Sequence, residues 1–134
     1  MNPRLSPARL SPACLATAVL LPVLLLTACS SSGSSSVKAN GTVDGTSGVA
    51  TVKGGDDLKF APNIVNAKVG ALKLTFTDSG QVPHNLAFDE ASLGKTATIN
   101  GGASATLDVT FPKAGTYTFQ CTIHPGMTGK VIVS

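Results

Sequence analysis

The chain is poor in the residue types on which many functions depend. Its 134 residues include no tryptophan, one tyrosine, two histidines, two methionines and three cysteines. Two histidines are too few for a multi-histidine metal centre, and three cysteines are too few for a disulfide-stapled scaffold. Ten basic and seven acidic residues leave a net charge of +3, which is too small to indicate nucleic-acid binding.

The N-terminus has the features of an export signal. Arg4 and Arg9 precede an apolar run from Leu15 to Leu26, which is shorter than the roughly 20 residues that a membrane span requires. The run ends in Leu-Thr-Ala-Cys, with Cys29 as the cysteine, and this resembles the lipobox of bacterial lipoproteins. The resemblance implies cleavage before Cys29 and lipidation of Cys29. The alternative is an ordinary secretory signal with an incidental cysteine.

We therefore predict three segments. Residues 1–28 form a lipoprotein signal peptide, residues 29–40 form the lipidated cysteine with a serine-rich tether, and residues 41–134 form one folded domain. The tether contains the run SSSGSSS, which has no apolar side chain to bury. The lipid would anchor the exported protein to the cell membrane, facing the periplasm or the cell exterior, where the environment is oxidising.

The residues from Val43 onward show the period of two that is typical of half-buried strands. Turns rich in glycine, proline and aspartate separate the apolar runs. We predict an all-β fold, an antiparallel Greek-key β-sandwich of seven to eight strands, with residues 43–52 as its first strand. Residues 89–96 are compatible with a helical turn or a loop. The sets predicted to face inward include Val65, Ala67 and Val69; Leu72, Leu74 and Phe76; Leu107, Val109 and Phe111; and Tyr117, Phe119 and Cys121.

Potential metal ligands concentrate near the C-terminus. Cys121, His124 and Met127 lie within seven residues, and the other histidine is His84. The period of two places Cys121 at the inward end of one strand and His84 at the inward start of another. One thiolate, two imidazoles and a thioether are the ligands of a type 1 copper site. Zinc sites make little use of methionine, and iron–sulfur clusters need several cysteines.

Each of these residues also has a simpler explanation. A lone histidine is usually a surface or core residue, a buried cysteine usually acts as a small apolar side chain, and a methionine usually fills a gap in the core. Cys121 and His124 are also compatible with a nucleophile and its base, although no third group is evident to orient the pair. The spacing and strand context together favour copper.

Two blocks of the sequence resemble the plastocyanin-like cupredoxins, the small blue copper proteins. Residues 83–90 read PHNLAFDE, and residues 115–131 contain the Cys, His and Met of the second block. The resemblance, which spans about residues 58–133, implies one type 1 copper ion bound by His84, Cys121, His124 and Met127. It also implies that the backbone N–H of Asn85 bonds the ligand sulfur while its side chain joins the two ligand-bearing segments. The alternative for Asn85 is an ordinary turn residue.

The chain departs from plastocyanin itself in three ways. Only Pro125 and Gly126 separate His124 from Met127, a short ligand loop like that of amicyanin. Ile123 stands where a proline often precedes the second histidine. No acidic patch is evident beyond Asp89-Glu90, so a plant-type acidic docking surface is not expected.

Together, the lipobox and cupredoxin resemblances imply a membrane-tethered one-electron carrier rather than an enzyme. We expect a monomer whose partners are other redox proteins, with no role for nucleic acid. Electrons would pass through the exposed edge of His124, beside the apolar residues Val82, Pro83 and Pro125. The alternative is a lipoprotein that buffers or delivers copper with the same ligands, and a third possibility is a metal-free interaction domain.

Overall fold

The computed structural model describes residues 36–134, which form a β-sandwich of nine strands. The predicted signal peptide, Cys29 and most of the predicted tether lie outside the described residues. Among the described residues, no helix is long and apolar enough to cross a membrane. The bounds of the strands are β1 Thr42–Asp44, β2 Val49–Gly54, β3 Phe60–Ala61, β4 Ile64–Ala67, β5 Gly70–Asp78, β6 Ala87–Phe88, β7 Ser104–Phe111, β8 Gly115–Gln120 and β9 Thr128–Val133.

The strands form two sheets. The five-stranded sheet has the order β1-β4-β9-β8-β6, and the four-stranded sheet has the order β3-β2-β5-β7. This confirms the predicted two-sheet sandwich. The count of nine exceeds the predicted seven to eight because β3 and β6 are only two residues long, too short to show alternation in the sequence. The sheets are mixed rather than wholly antiparallel, since β1 with β4, β2 with β5, and β4 with β9 pair in parallel. Parallel pairs arise here because the chain repeatedly crosses from one sheet to the other before it returns.

The predicted first strand is in fact two strands. β1 lies in the five-stranded sheet and β2 lies in the four-stranded sheet. Between them the chain turns, with the Gly48 N–H donating to the Gly45 carbonyl at 2.9 Å and a φ of 89° at Gly48. Glycine adopts this left-handed conformation without the steric cost that other residues incur.

All six aromatic side chains lie in one continuous cluster between the sheets. The ring-to-ring contacts run in the order Phe76, Phe60, Phe119, Phe88, Phe111 and Tyr117, with centroid separations of 4.8 to 5.9 Å. Most of these pairs meet edge to face, the arrangement that the ring quadrupoles favour. The few aromatic residues thus form one continuous chain of contacts. The aliphatic residues of β2, β4, β5 and β9 fill the rest of the core.

Alternation predicts most inward positions correctly, with two exceptions. Leu72, Leu74 and Phe76 are at most 1% exposed. Val69, which shares the parity of Val65 and Ala67, is 50% exposed because β4 ends at Ala67 and the chain turns towards β5. Leu107 is only half-buried. Residues 89–96 contain one turn of 3-10 helix, Ala91–Leu93.

The end of the predicted tether is bound to the domain. The side chain of Asn63 donates to the carbonyl of Lys38 at 2.7 Å and accepts from the backbone N–H of Asn40 at 2.6 Å. The Asn40 side chain in turn donates to the Phe60 carbonyl at 2.9 Å. Residues 38–40 are thus fixed to the sandwich by specific hydrogen bonds.

Candidate metal centre

His84 is held at one end of the sandwich by a short bridge between backbones. Its N–H donates to the Ile99 carbonyl at 2.8 Å, and the Ile99 N–H donates back to the His84 carbonyl at 2.9 Å. The histidine side chain is fully buried. The prediction that His84 begins a strand is only approximate, because the strand proper is Ala87–Phe88 and every residue from 84 to 88 is buried, so that no period of two remains.

Cys121 follows β8 directly and continues its inward face. Tyr117, Phe119 and Cys121 are all buried, at 8%, 0% and 2% exposure, which confirms the predicted orientation. The alternation places the thiol at the end of the core, where β8 stops and the chain turns towards β9.

The segment from Cys121 to Met127 forms a closed loop. The Cys121 N–H donates to the Met127 carbonyl at 3.0 Å, and the Met127 N–H donates to the His124 carbonyl at 3.2 Å. Gly126 has a φ of 88°, so the tight turn before Met127 uses a conformation that suits glycine. The loop returns the chain to β9 and leaves Met127 almost fully buried, at 1% exposure.

Three donor atoms converge at this end of the molecule. His84 Nδ1 lies 3.0 Å from His124 Nδ1, and Cys121 Sγ lies 3.9 Å from the first and 3.7 Å from the second. A point equidistant from these atoms is about 2.1 Å from each, which matches the distances of about 2.0 to 2.3 Å at which imidazole nitrogen and thiolate sulfur bind a metal ion. The triangle is therefore the right size to hold one ion.

The ring of His84 is oriented by only one of its nitrogens. Nδ1 faces the cluster, whereas the buried Nε2 has no hydrogen-bond partner among the described residues. Metal-binding histidines usually donate their second N–H to a partner that fixes the ring. The position of the His84 ring therefore depends on its packing and on its backbone.

Asn85 joins the two segments that carry the ligand candidates. Its side-chain amide donates to Thr122 Oγ1 at 2.8 Å, and its side-chain oxygen accepts from the Thr122 N–H at 2.9 Å. Residues 85 and 122 each follow a ligand candidate directly, so this pair of hydrogen bonds fixes the separation of His84 and Cys121. The expected hydrogen bond from the Asn85 N–H to the sulfur stays a prediction.

His124 lies at the boundary between the site and solvent. Its side chain is half-buried, while Pro83 and Pro125, which adjoin the two histidines in the sequence, are exposed. Val82 and Ile123 are 36% and 42% exposed. The cluster is thus closed on the side of the core and bordered by apolar side chains on the side of the solvent.

Met127 packs against a glycine. A Cβ placed on Gly54 would lie 2.9 Å from Met127 Cε and 2.9 Å from Phe76 Cζ, so the absence of a side chain at Gly54 makes room for the methionine methyl group. Two histidines, one cysteine and a nearby buried methionine define the class of protein: they are the donor set of a type 1 copper site.

Comparisons with known proteins identify the family. The model of a cupredoxin-like domain matches residues 18–133, and the chain therefore belongs to the cupredoxin-like family. Plastocyanin of Solanum tuberosum is 38% identical over 96 residues, which are 60% of this chain and 95% of the plastocyanin. Amicyanin of Paracoccus versutus is 38% identical over 89 residues, which are 63% of this chain and 64% of the amicyanin.

Solved structures show the same fold. Dithionite-reduced auracyanin of Roseiflexus castenholzii superposes with a TM-score of 0.59 at 22% identity, covering 67% of this chain and 99% of the auracyanin. An amicyanin variant in its reduced Cu(I) form superposes with a TM-score of 0.53 at 32% identity, covering 65% of this chain and 83% of the amicyanin.

We expect the Met127→Leu variant to keep a coloured copper site and to have a higher reduction potential. The thiolate bond dominates the colour, whereas the axial ligand tunes the potential, and loss of a weak donor to Cu(II) favours Cu(I). An increase of about 59 mV would correspond to a tenfold change in the one-electron redox equilibrium. Voltammetry together with visible spectroscopy tests this. Loss of copper from the variant would show that Met127 is a principal ligand.

Proposed function

We propose that this protein is a one-electron carrier with a single type 1 copper ion bound by His84, Cys121, His124 and Met127. The observation that carries the proposal is the triangle of Nδ1, Nδ1 and Sγ atoms, which has the dimensions of a metal site. Copper in such a site supplies one electron at a time by cycling between Cu(I) and Cu(II). The protein would catalyse no reaction in which covalent bonds change.

The surroundings of the site suit a carrier because they hold the ligands from several directions. His84 is tied to Ile99, Cys121 is tied to Met127, and the His84 and Cys121 segments are tied to each other by Asn85 and Thr122. Ligands that stay in place during oxidation and reduction keep the rearrangement small. Both histidines are used at this one site, which leaves none for a second copper centre.

Electrons would enter and leave through His124. It is the only one of the three convergent ligand candidates that is not buried, and the residues beside it form an apolar surface: Val82, Pro83, Ile123 and Pro125. Brief redox encounters use small interfaces. We infer that the partners are redox proteins that dock on this surface.

A lipid anchor at Cys29 would hold the exported protein on the membrane. Residues 38–40 border the same groove as Gly126, Met127 and Thr128, so the tether would join the domain beside the ligand loop. Eight residues lie between Cys29 and Lys38, and the nine steps from one to the other span at most about 32 Å. The copper end of the domain would then stay close to the membrane and to partners embedded in it.

Reconstitution with copper tests the carrier proposal. Addition of Cu(II) to the metal-free protein should produce an intense visible band from the thiolate, and addition of one equivalent of reductant should remove it reversibly. A colourless copper complex, or a complex that loses copper on reduction, would contradict the proposal.

We expect the Cys29→Ala variant to be released from membranes without a change in the copper spectrum. The lipid would be lost with the cysteine, while the site lies in a domain that begins several residues later. Membrane fractionation and visible spectroscopy of the fractions test this, with Cys14→Ala as the matched control. A Cys29→Ala protein that stays with the membrane would show that the lipobox interpretation is wrong.

A further inference from the structure

The loop before His84 has an unusual set of hydrogen-bond partners. The loop runs from the end of β5 at Asp78 to His84, and the backbone N–H groups of residues 79–82 all donate hydrogen bonds. The acceptors belong to β2, to the turn after β2 and to Asp78. The Ser79 N–H donates to the Gly54 carbonyl at 2.8 Å, and the Gly80 N–H donates to Asp78 Oδ1 at 2.8 Å. The next two N–H groups, of Gln81 and Val82, donate to one oxygen of Asp56 at 2.7 and 3.2 Å.

Asp56 comes from the turn between β2 and β3, which is distant from this loop in sequence. The turn is closed by a hydrogen bond from the Leu58 N–H to the Gly55 carbonyl at 2.9 Å, and Leu58 has a φ of 55°. The Asp56 carboxylate occupies the concavity formed by the N–H groups of Gln81 and Val82, an arrangement that binds anions well. These two hydrogen bonds lower the pKa of Asp56 below its usual value, so the group is ionised at neutral pH.

Gly80 allows this contact. A Cβ at position 80 would collide with Asp56 Oδ1 and would lie 2.8 Å from the Asp56 backbone nitrogen. Because one of the colliding atoms is backbone, the clash could not be relieved by rotation of a side chain alone. The turn after β2 and the loop before His84 are therefore fitted closely to each other.

We infer that Asp56 is a positioning residue for His84: by binding the N–H groups of Gln81 and Val82, its carboxylate fixes the loop that presents the imidazole to the metal. This inference rests on the proposed copper site. The role matters because His84 Nε2 has no partner among the described residues that would orient the ring. The backbone must supply the precision that a hydrogen bond to Nε2 usually supplies.

Two variants and two controls test the inference. Asp56→Ala removes the carboxylate, and Asp56→Asn removes the charge but keeps an oxygen that accepts hydrogen bonds. Asp57→Ala and Asp57→Asn make the same changes of charge one residue away, where, within residues 36–134, the carboxylate accepts only the N–H of Lys59, at 3.3 Å. Each protein is measured without metal, by hydrogen exchange of the Gln81 and Val82 amides, and with copper, by Cu(I) affinity and by EPR of the Cu(II) form.

We expect Asp56→Ala to speed the exchange of both amides by roughly tenfold or more, since each loses a hydrogen bond to a charged acceptor. The Cu(I) affinity should fall by about 10-fold to 100-fold, the usual effect of removing a group that orients a metal ligand, and the EPR spectrum should change. Asp56→Asn should retain the wild-type EPR spectrum, and both Asp57 variants should match the wild type in every measurement.

The inference would be overturned if the Asp56→Ala variant behaved like the Asp57→Ala variant. It would also be overturned if the Asp56→Asn variant were as impaired in amide protection and Cu(I) affinity as the Asp56→Ala variant. If Asp56→Ala does not fold, Gly80→Ala replaces it, because the added Cβ moves the Asp56 backbone and carboxylate away from the loop without removing the carboxylate, and it should give the same two effects. Because the amide exchange is measured without copper, it reports on the Asp56 hydrogen bonds even if the protein does not bind copper as proposed.

Discussion

Replacement of Cys121 by serine is expected to abolish the intense visible absorption of the copper protein. The sulfur of Cys121 is the only thiolate candidate in the cluster of donor atoms, and the strong absorption of type 1 copper arises from its bond to thiolate. A hydroxyl group is a poor donor to copper at neutral pH. Titration of the variant with Cu(II), followed by visible spectroscopy and EPR, measures the effect.

The control for this experiment is Met127→Leu, which changes the other sulfur near the site and should keep the colour. A Cys121→Ser protein that retains the intense band would contradict the assignment of Cys121 as a ligand. Circular dichroism of both variants distinguishes loss of the site from loss of the fold.

Of the variants considered, Phe119→Ala is expected to lower the free energy of unfolding most. Phe119 is fully buried, and its ring centroid lies 5.1 Å from that of Phe60 and 5.9 Å from that of Phe88. Truncation of a buried phenylalanine costs about 3 to 5 kcal/mol of the free energy of unfolding. For a domain of this size, each kcal/mol lowers the melting temperature by about 4 to 8 °C. Thermal and urea unfolding of the metal-free protein test the prediction.

Phe119→Leu is the matched control because it keeps most of the apolar volume, and it should cost clearly less than the alanine variant. Ala71→Ser, at an exposed position of β5, should change the free energy of unfolding by no more than about 0.5 kcal/mol. If Phe119→Ala were no more destabilising than Phe119→Leu, the continuous aromatic cluster would not be the centre of the core.

The sequence was sufficient to predict the sandwich and the convergence of the site because both depend on local periods. Alternation along β8 placed Cys121 on the face of Tyr117 and Phe119, and the structure confirms it. The short spacing of Cys121, His124 and Met127 brought three ligand candidates into one loop. His84 is joined to them by the predicted alternation of its own segment and by the resemblance of its PHN motif, and the alternation is only approximate because residues 84–88 are all buried.

Features that depend on contacts between distant segments were not predictable in this way. The sequence predicts one strand over residues 43–52, although Asp44-Gly45 and Gly48 are typical of a turn. Nothing in the local pattern indicates that the chain passes from one sheet to the other at this turn. The parallel pairs, such as β2 with β5, follow from the order in which the chain crosses the sandwich. Periodicity gives the face of a residue and not the neighbour of its strand.

Asp56 shows the same limit at the site. In the sequence it is one of two adjacent aspartates in a short turn, a context in which a turn residue is the ordinary interpretation. Its hydrogen bonds reach residues 25 and 26 positions away, and nothing within the turn indicates them. The neighbouring Asp57 looks equivalent in sequence and makes no such contact among the described residues.

The electron self-exchange rate tests the central claim most directly. Proton NMR lines of the reduced protein are followed as copper-loaded oxidised protein is added in small amounts. A one-electron carrier with preorganised ligands should exchange electrons rapidly, so that lines from residues near the site, such as those of His124, broaden in proportion to the added Cu(II) protein. Lines that stay sharp would show that electrons do not pass rapidly between the reduced and the oxidised protein. That is the behaviour of a protein that buffers or delivers copper, and it would contradict the account.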